Sequence, residues 1–174
     1  MTEPQAQTLC KSCGLCCSGH LFAWVRLNAR ELDRVEALGL NVIRDDPRQR
    51  GFLQPCPVWR NGVCIVYTSP DYPSSCRKYR CAVLRKLMDG ETTLPGAMTQ
   101  IQETLDLIHE VEQLLPVSTS ISFRERMIAY KEMLEKSDES NREFVEREFL
   151  LKAGKLLDIY ENRFGVDDFI DYES

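Results

Sequence analysis

Cys10-Lys-Ser-Cys13-Gly-Leu-Cys16-Cys17, near the start of the chain, concentrates half of its cysteines and constrains how the rest can fold. Two spacings of two residues and then an adjacent pair put four sulfurs within eight positions. Cys56, Cys64, Cys76 and Cys81 answer from downstream, so all eight cysteines of the 174-residue chain lie in its first 81 positions. The opening residues, Met1 to Thr8, lack the basic-then-apolar order of a secretory signal. No run approaches the roughly 18 apolar residues of a membrane span. The expectation is a cytoplasmic protein without a membrane segment, and in a reducing cytosol clustered thiols point to metal rather than to disulfides.

An all-cysteine zinc site takes four thiolates, usually as two short-spaced pairs from separate turns. Eight cysteines are enough for two such sites. Adjacent side chains such as Cys16 and Cys17 point in different directions, so they serve different sites or set one bridging sulfur between two metals; spacing alone leaves the pairing open. Iron offers a second reading, because three cysteines at this spacing open a ferredoxin-like run that a distant Cys-Pro completes, the part Cys56-Pro57 would take. The expected cofactor is therefore zinc or iron, with a 4Fe-4S cluster as one iron form, and the candidate ligands are Cys10, Cys13, Cys16, Cys17, Cys56, Cys64, Cys76 and Cys81. His20, three residues after Cys17, is a further candidate neighbour, whereas His109 lies outside the cluster.

The formal net charge of −5 is unevenly spread. Between Cys10 and Gly90 there are 13 basic against 7 acidic residues, a formal +6, leaving 9 against 20, or −11, elsewhere. Basic segments often bind nucleic acid. Here four thiolates around a divalent ion would leave about −2 per site, which gives the basic residues local charge to offset. Nucleic acid is thus the less favoured partner. Arg77, Lys78, Arg80, Arg85 and Lys86 crowd the last two cysteines, and Arg77 and Arg80 are the candidates to receive an anionic cofactor or substrate.

Local patterns predict a mainly α fold: an irregular, metal-stapled, cysteine-rich part with a short β-hairpin and short helices, then a helical bundle or hairpin. The division expected is 1–90 for the cysteine cluster and 91–174 for the helical extension. Phe22 to Leu27 reads as a strand, and Asn28-Ala-Arg-Glu31 opens a short helix through a capping box, with Gly39 after its end. Asp45 to Phe52 reads as an exposed loop. Asn61-Gly62 between apolar runs is a hairpin turn that would return Cys64 towards Cys56. Pro70 and Pro73 mark a rigid loop, and Ala82 to Met88 reads as helix, closed near Gly90. Beyond the Gly90 to Gly96 shift, three amphipathic helices are expected. The first spans Thr99 to Leu115 and is ended by Pro116. The second follows Ser122, with Phe123, Met127, Ile128 and Leu134 inward. The third runs from about Arg142 to Asn162, with Phe144, Val145, Phe149, Leu156 and Tyr160 as core candidates. Phe169, Ile170 and Tyr172 of the acidic tail are expected to pack back on these helices.

Taken together, Cys10-x2-Cys13-Gly14-x-Cys16-Cys17, the helix entry at Leu27 to Glu31, Cys56-Pro57, Asn61-Gly62-x-Cys64-Ile65-x-Tyr67, Pro73-x2-Cys76-Arg77-x-Tyr79 and Cys81 resemble the YkgJ-like cysteine-cluster family. That family is described as a zinc- or iron-chelating CxxCxxCC domain, and the resemblance implies metal chelation without a defined activity. It covers under half of the chain. Thr68 to Tyr72 departs from it, standing where relatives tend to place Arg-Pro, and the later helices resemble no family. Some larger relatives occur in flagellin lysine-N-methylases, an activity that does not carry over to so short a chain.

The function expected is metal binding that supports folding, with the helical extension as a surface for a protein partner. The alternative is an iron-sulfur enzyme or redox protein acting on a protein or small-molecule substrate. No serine-histidine-acid set, Walker loop or dinucleotide glycine motif is present, which removes several common enzyme classes.

Overall fold

The computed structural model describes residues 3–118 and 122–166. It is mainly α-helical. Helix α1 (Glu3–Cys13) precedes the cysteine loop, β1 (Trp24–Arg26) follows it, and a single 3-10 turn leads into α2 (Leu32–Ala37). Strands β2 (Val42–Ile43) and β3 (Gly51–Leu53) come next, then the hairpin β4 (Trp59–Arg60) and β5 (Val63–Cys64). Helices α3 (Ser74–Lys78) and α4 (Ala82–Met88) lead into the long helices α5 (Leu94–Leu114), α6 (Phe123–Glu135) and α7 (Phe144–Asn162).

The strands form a three-stranded antiparallel sheet in the order β1-β3-β2 and a separate two-stranded hairpin. The segment expected to be an exposed loop is one from Asp45 to Arg50, but its last two residues, Gly51 and Phe52, belong to the sheet's central strand. Phe52 pairs with Val25 on one side and Val42 on the other and is fully buried. Around it lies a small core of Leu27, Leu32, Val35, Leu40 and Val58. The Asn28 capping box is present, and Asn61 (φ 51) and Gly62 (φ 76) give the hairpin the left-handed turn that matches strand twist.

A larger core runs through the helices. α5 packs on α7, α6 leans against both, and α1 packs on α5 and α4. Ile101, Ile108, Val111, Met127, Phe149, Leu156 and Tyr160 are buried together with Leu9, Leu15 and Leu21 from α1 and the cysteine loop. α5 begins at Leu94 rather than Thr99, because Thr93 caps it through a bond from the Gly96 amide and Pro95 sits in the first turn, where its missing N–H costs nothing. Phe144 and Val145, expected in the core, are 79% and 47% exposed. The buried stripe of α7 is Phe149, Ala153, Leu156 and Tyr160; Phe144 lies well off it, and Val145 stands on its unpacked end. The expected packing of Phe169, Ile170 and Tyr172 lies outside the described residues. Among the described residues no helix is long and apolar enough to cross a membrane.

Candidate metal centre

Several local devices deliver the cysteines. Cys10 and Cys13 sit on the last turn of α1, and the chain then folds back sharply, with Ser18 N–H donating to Gly14 O at 2.8 Å and His20 N–H to Leu15 O at 3.1 Å. Gly14 (φ 66) lies against the indole of Trp59, and a Cβ there would overlap the ring carbon Cζ2, well inside van der Waals contact. The approach of the cysteine loop to the hairpin therefore requires glycine. Cys56 N–H donates to Cys17 O at 2.7 Å, which fixes the two segments together. Trp59 pairs with Cys64 across the hairpin, so Cys64 returns towards Cys56. Cys76 rides on α3, and Cys81 caps α4, its sulfur accepting from Leu84 N–H at 3.5 Å.

All eight thiols are free, Cys10 exposed and the rest half-buried. They form one constellation with two ends. Cys16 feels Cys13, Cys81, Cys17 and Cys10, while Cys17 feels Cys56, Cys76, Cys64 and Cys10. The adjacent pair thus faces two ways. Packing agrees, since Cys13, Cys16 and Cys81 lie against the large helical core and Cys56 and Cys76 against the small one. Among the described residues, no group of three or more His, Cys, Asp or Glu side chains is gathered tightly enough to grip an ion as the side chains stand.

Burial is the largest influence on these thiols and neighbouring sulfurs add to it, pushing Cys13 and Cys76 up to about 12 and Cys16 and Cys17 up as well. Opposing this are backbone amides. Cys56 receives those of Val58 and Trp59, Cys64 those of Val66 and Tyr67, and Cys81 those of Leu84 and Val83, at offsets of two and three residues in each case. Cys13 receives that of Leu15. Amides aimed at sulfur stabilise its ionised form.

The basic residues divide. Arg80 lies near Cys10, Arg85 near Cys81 and Lys11 near Cys64, each favouring the thiolate. Arg77 and Lys78 are exposed. His20 packs edge-on to Phe123 at 5.1 Å between ring centres, and its Nδ1 lies 2.9 Å from Ser18 Oγ, which places it on the bundle side of the loop. His109 pairs with Gln113 on α5, away from the sulfurs.

Several participants were not evident from the sequence. Helix α1 is one, and its signal was available: Ala6, Leu9 and Cys13 keep a helical period once cysteine is counted as apolar. Glu31 is another, only 8% exposed. Its carboxylate accepts from Ser74 N–H at 2.9 Å and Ser74 Oγ at 2.8 Å, so the capping box also anchors the helix that carries Cys76. Nothing in the local sequence announces a bond across 43 residues.

No protein-family model, curated protein or solved structure matches the chain.

Proposed function

We propose that this is a metal-binding protein in which the eight cysteines hold zinc or iron as two four-sulfur sets, Cys10, Cys13, Cys16 and Cys81 in one and Cys17, Cys56, Cys64 and Cys76 in the other. The observation that carries this reading is the repeated turn in which two successive amides aim at one sulfur, at Cys56, Cys64 and Cys81. A buried thiol that stays neutral gains little from such amides, whereas a metal-bound thiolate needs them. The donor set is chemically suited to zinc or iron-sulfur chemistry. A bound cation would supply the positive charge that lets these buried thiols ionise, and side-chain rotation would draw each set together. Binding free energy would then support the small core directly.

Lys11, Arg80 and Arg85 would temper the negative charge of the loaded sets. This leaves the basic residues with local work and disfavours nucleic acid as the partner. The iron-sulfur enzyme is retained as the second reading because the cavity described below abuts Cys10 and Cys76 of the two sets.

Anaerobic purification, elemental analysis and an absorption spectrum test the proposal. The expected result is zinc or iron at two sites per chain, with a brown colour and a broad visible band if the metal is an iron-sulfur cluster. Cys16→Ser and Cys56→Ser should each remove about half of the metal and leave the other set loaded. A chain that binds neither metal, or that loses all of it in both variants, refutes the two-set arrangement.

A further inference from the structure

A cavity of about 120 Å³ opens between the two ends of the cysteine constellation, at the junction of α1, α3 and α4. Its size is comparable to the ~150 Å³ cavity known to accept benzene. One wall is aromatic and cationic. Tyr67 and Tyr72 stand 5.2 Å apart at 45°, and the guanidinium of Arg77 lies over the Tyr72 ring at 5.5 Å from its centre. Arg80 completes this wall, held in place because its Nη1 donates to the carbonyls of Arg77 at 2.6 Å and Tyr79 at 2.8 Å. Ala6, Leu84 and Met88 supply the apolar part of the lining, and Gln7 of α1 adds an amide. Cys10 and Cys76 stand at its edge.

We infer that this cavity binds a small organic carboxylate, with its two oxygens on the guanidinium side and its short hydrocarbon body against Ala6, Leu84 and Met88. The reading goes beyond metal binding, since it stands on the lining alone. Three features favour it. Among the described residues, neither Arg77 nor Arg80 forms an ion pair with a carboxylate of the chain, although nine such pairs occur elsewhere. A planar guanidinium matches the two oxygens of a carboxylate, and stacking on Tyr72 orients Arg77 for that contact. Ala6, Leu84 and Met88 offer no hydrogen bonds to the outer oxygens of phosphate or sulfate, which favours an anion with a hydrocarbon side.

Nearby thiolates would repel an anion. Arg80 is the cation that tempers Cys10, and Arg77 adds a second positive charge to the cavity wall. The volume admits an acid of about six heavy atoms, butyrate being a convenient probe.

The test is a ligand-observed NMR titration of the purified full-length chain, its metal content measured beforehand, with sodium butyrate as the probe and sodium phosphate and butylammonium chloride as controls. Saturable butyrate binding is expected, tighter than that of either control. Arg77→Gln should weaken it about tenfold or more while leaving metal content unchanged. Ala6→Phe, which fills the cavity without altering charge, should abolish it. Absence of butyrate binding, equal binding of phosphate or butylammonium, or wild-type affinity in Arg77→Gln overturns the inference. Failure of the metal reading would look different: a chain free of zinc and iron that still binds butyrate in an Arg77-dependent manner.

Discussion

Glu31 shows how one side chain joins two parts of this fold. Burial on its own would raise its carboxyl, but hydrogen bonds from Ser74 and Asn28 outweigh that and hold it below the ordinary carboxylate range. A carboxylate whose folded value is lowered contributes stability above its unfolded value near 4.5, and that contribution is lost as pH falls through the lower folded value. The unfolded state binds the proton first, so stability falls as the solution is acidified. Glu31→Gln keeps the shape but weakens the bonds accepted from Ser74. It should cost about 2 kcal/mol at neutral pH, and the difference from wild type should shrink below pH 4 in urea melts followed by circular dichroism. An unchanged difference across that range would show that the charge on Glu31 is irrelevant.

At the scale of elements, the cysteine loop and the hairpin are held by two glycines that act for different reasons. Gly62 has open space around the position of a Cβ, so only its left-handed backbone is at stake. Gly62→Ala should cost about 1–2 kcal/mol. Gly14 has the same backbone constraint and the Trp59 ring as well. Gly14→Ala should cost roughly 1–3 kcal/mol more than Gly62→Ala, and Trp59→Leu should remove most of that excess in a double-mutant cycle measured by chemical denaturation. The hairpin was legible because Asn-Gly names its own turn, and the helices α5 to α7 because caps and period agree. Helix α1 was hidden because its apolar stripe includes Cys13, a residue read as a ligand. Strand β3 was hidden because Gly51-Phe52-Leu53 is short and follows a run of charged residues. Which sulfurs approach one another is set by tertiary contacts such as Cys56 N–H to Cys17 O, and spacing could not supply them.

Across the whole molecule, stability is distributed between unequal cores. Twenty buried apolar residues among those described form the helical core, and six form the one around Phe52. The smaller core lies beside Cys56 and Cys76 and buries much less apolar surface than the helical one. Under the proposed function, removing metal with a chelator under reducing conditions should release amide protection first in peptides covering Leu27 to Val58. Peptides from α5 and α7 around Val111 and Phe149 should stay protected. Hydrogen exchange with mass spectrometry reads both at once, and simultaneous loss in the two regions would mean that the metal supports the whole chain as one unit. Specific bonds tie α4 and the cysteine loop to the helical core: Ala82 N–H donates to Phe164 O at 2.8 Å, and Arg124 N–H to Gly19 O at 3.3 Å. The closeness of Trp59 to Gly14 also has an optical consequence. The indole lies one residue from Cys13 and pairs across the hairpin with Cys64, so its fluorescence should respond to whatever the sulfurs hold. The chain's other tryptophan, Trp24, lies on a different sheet. Under the proposed function, a Trp24→Phe protein would therefore carry a single built-in lamp beside Gly14 and Cys64, whose dimming or brightening follows metal loading in real time.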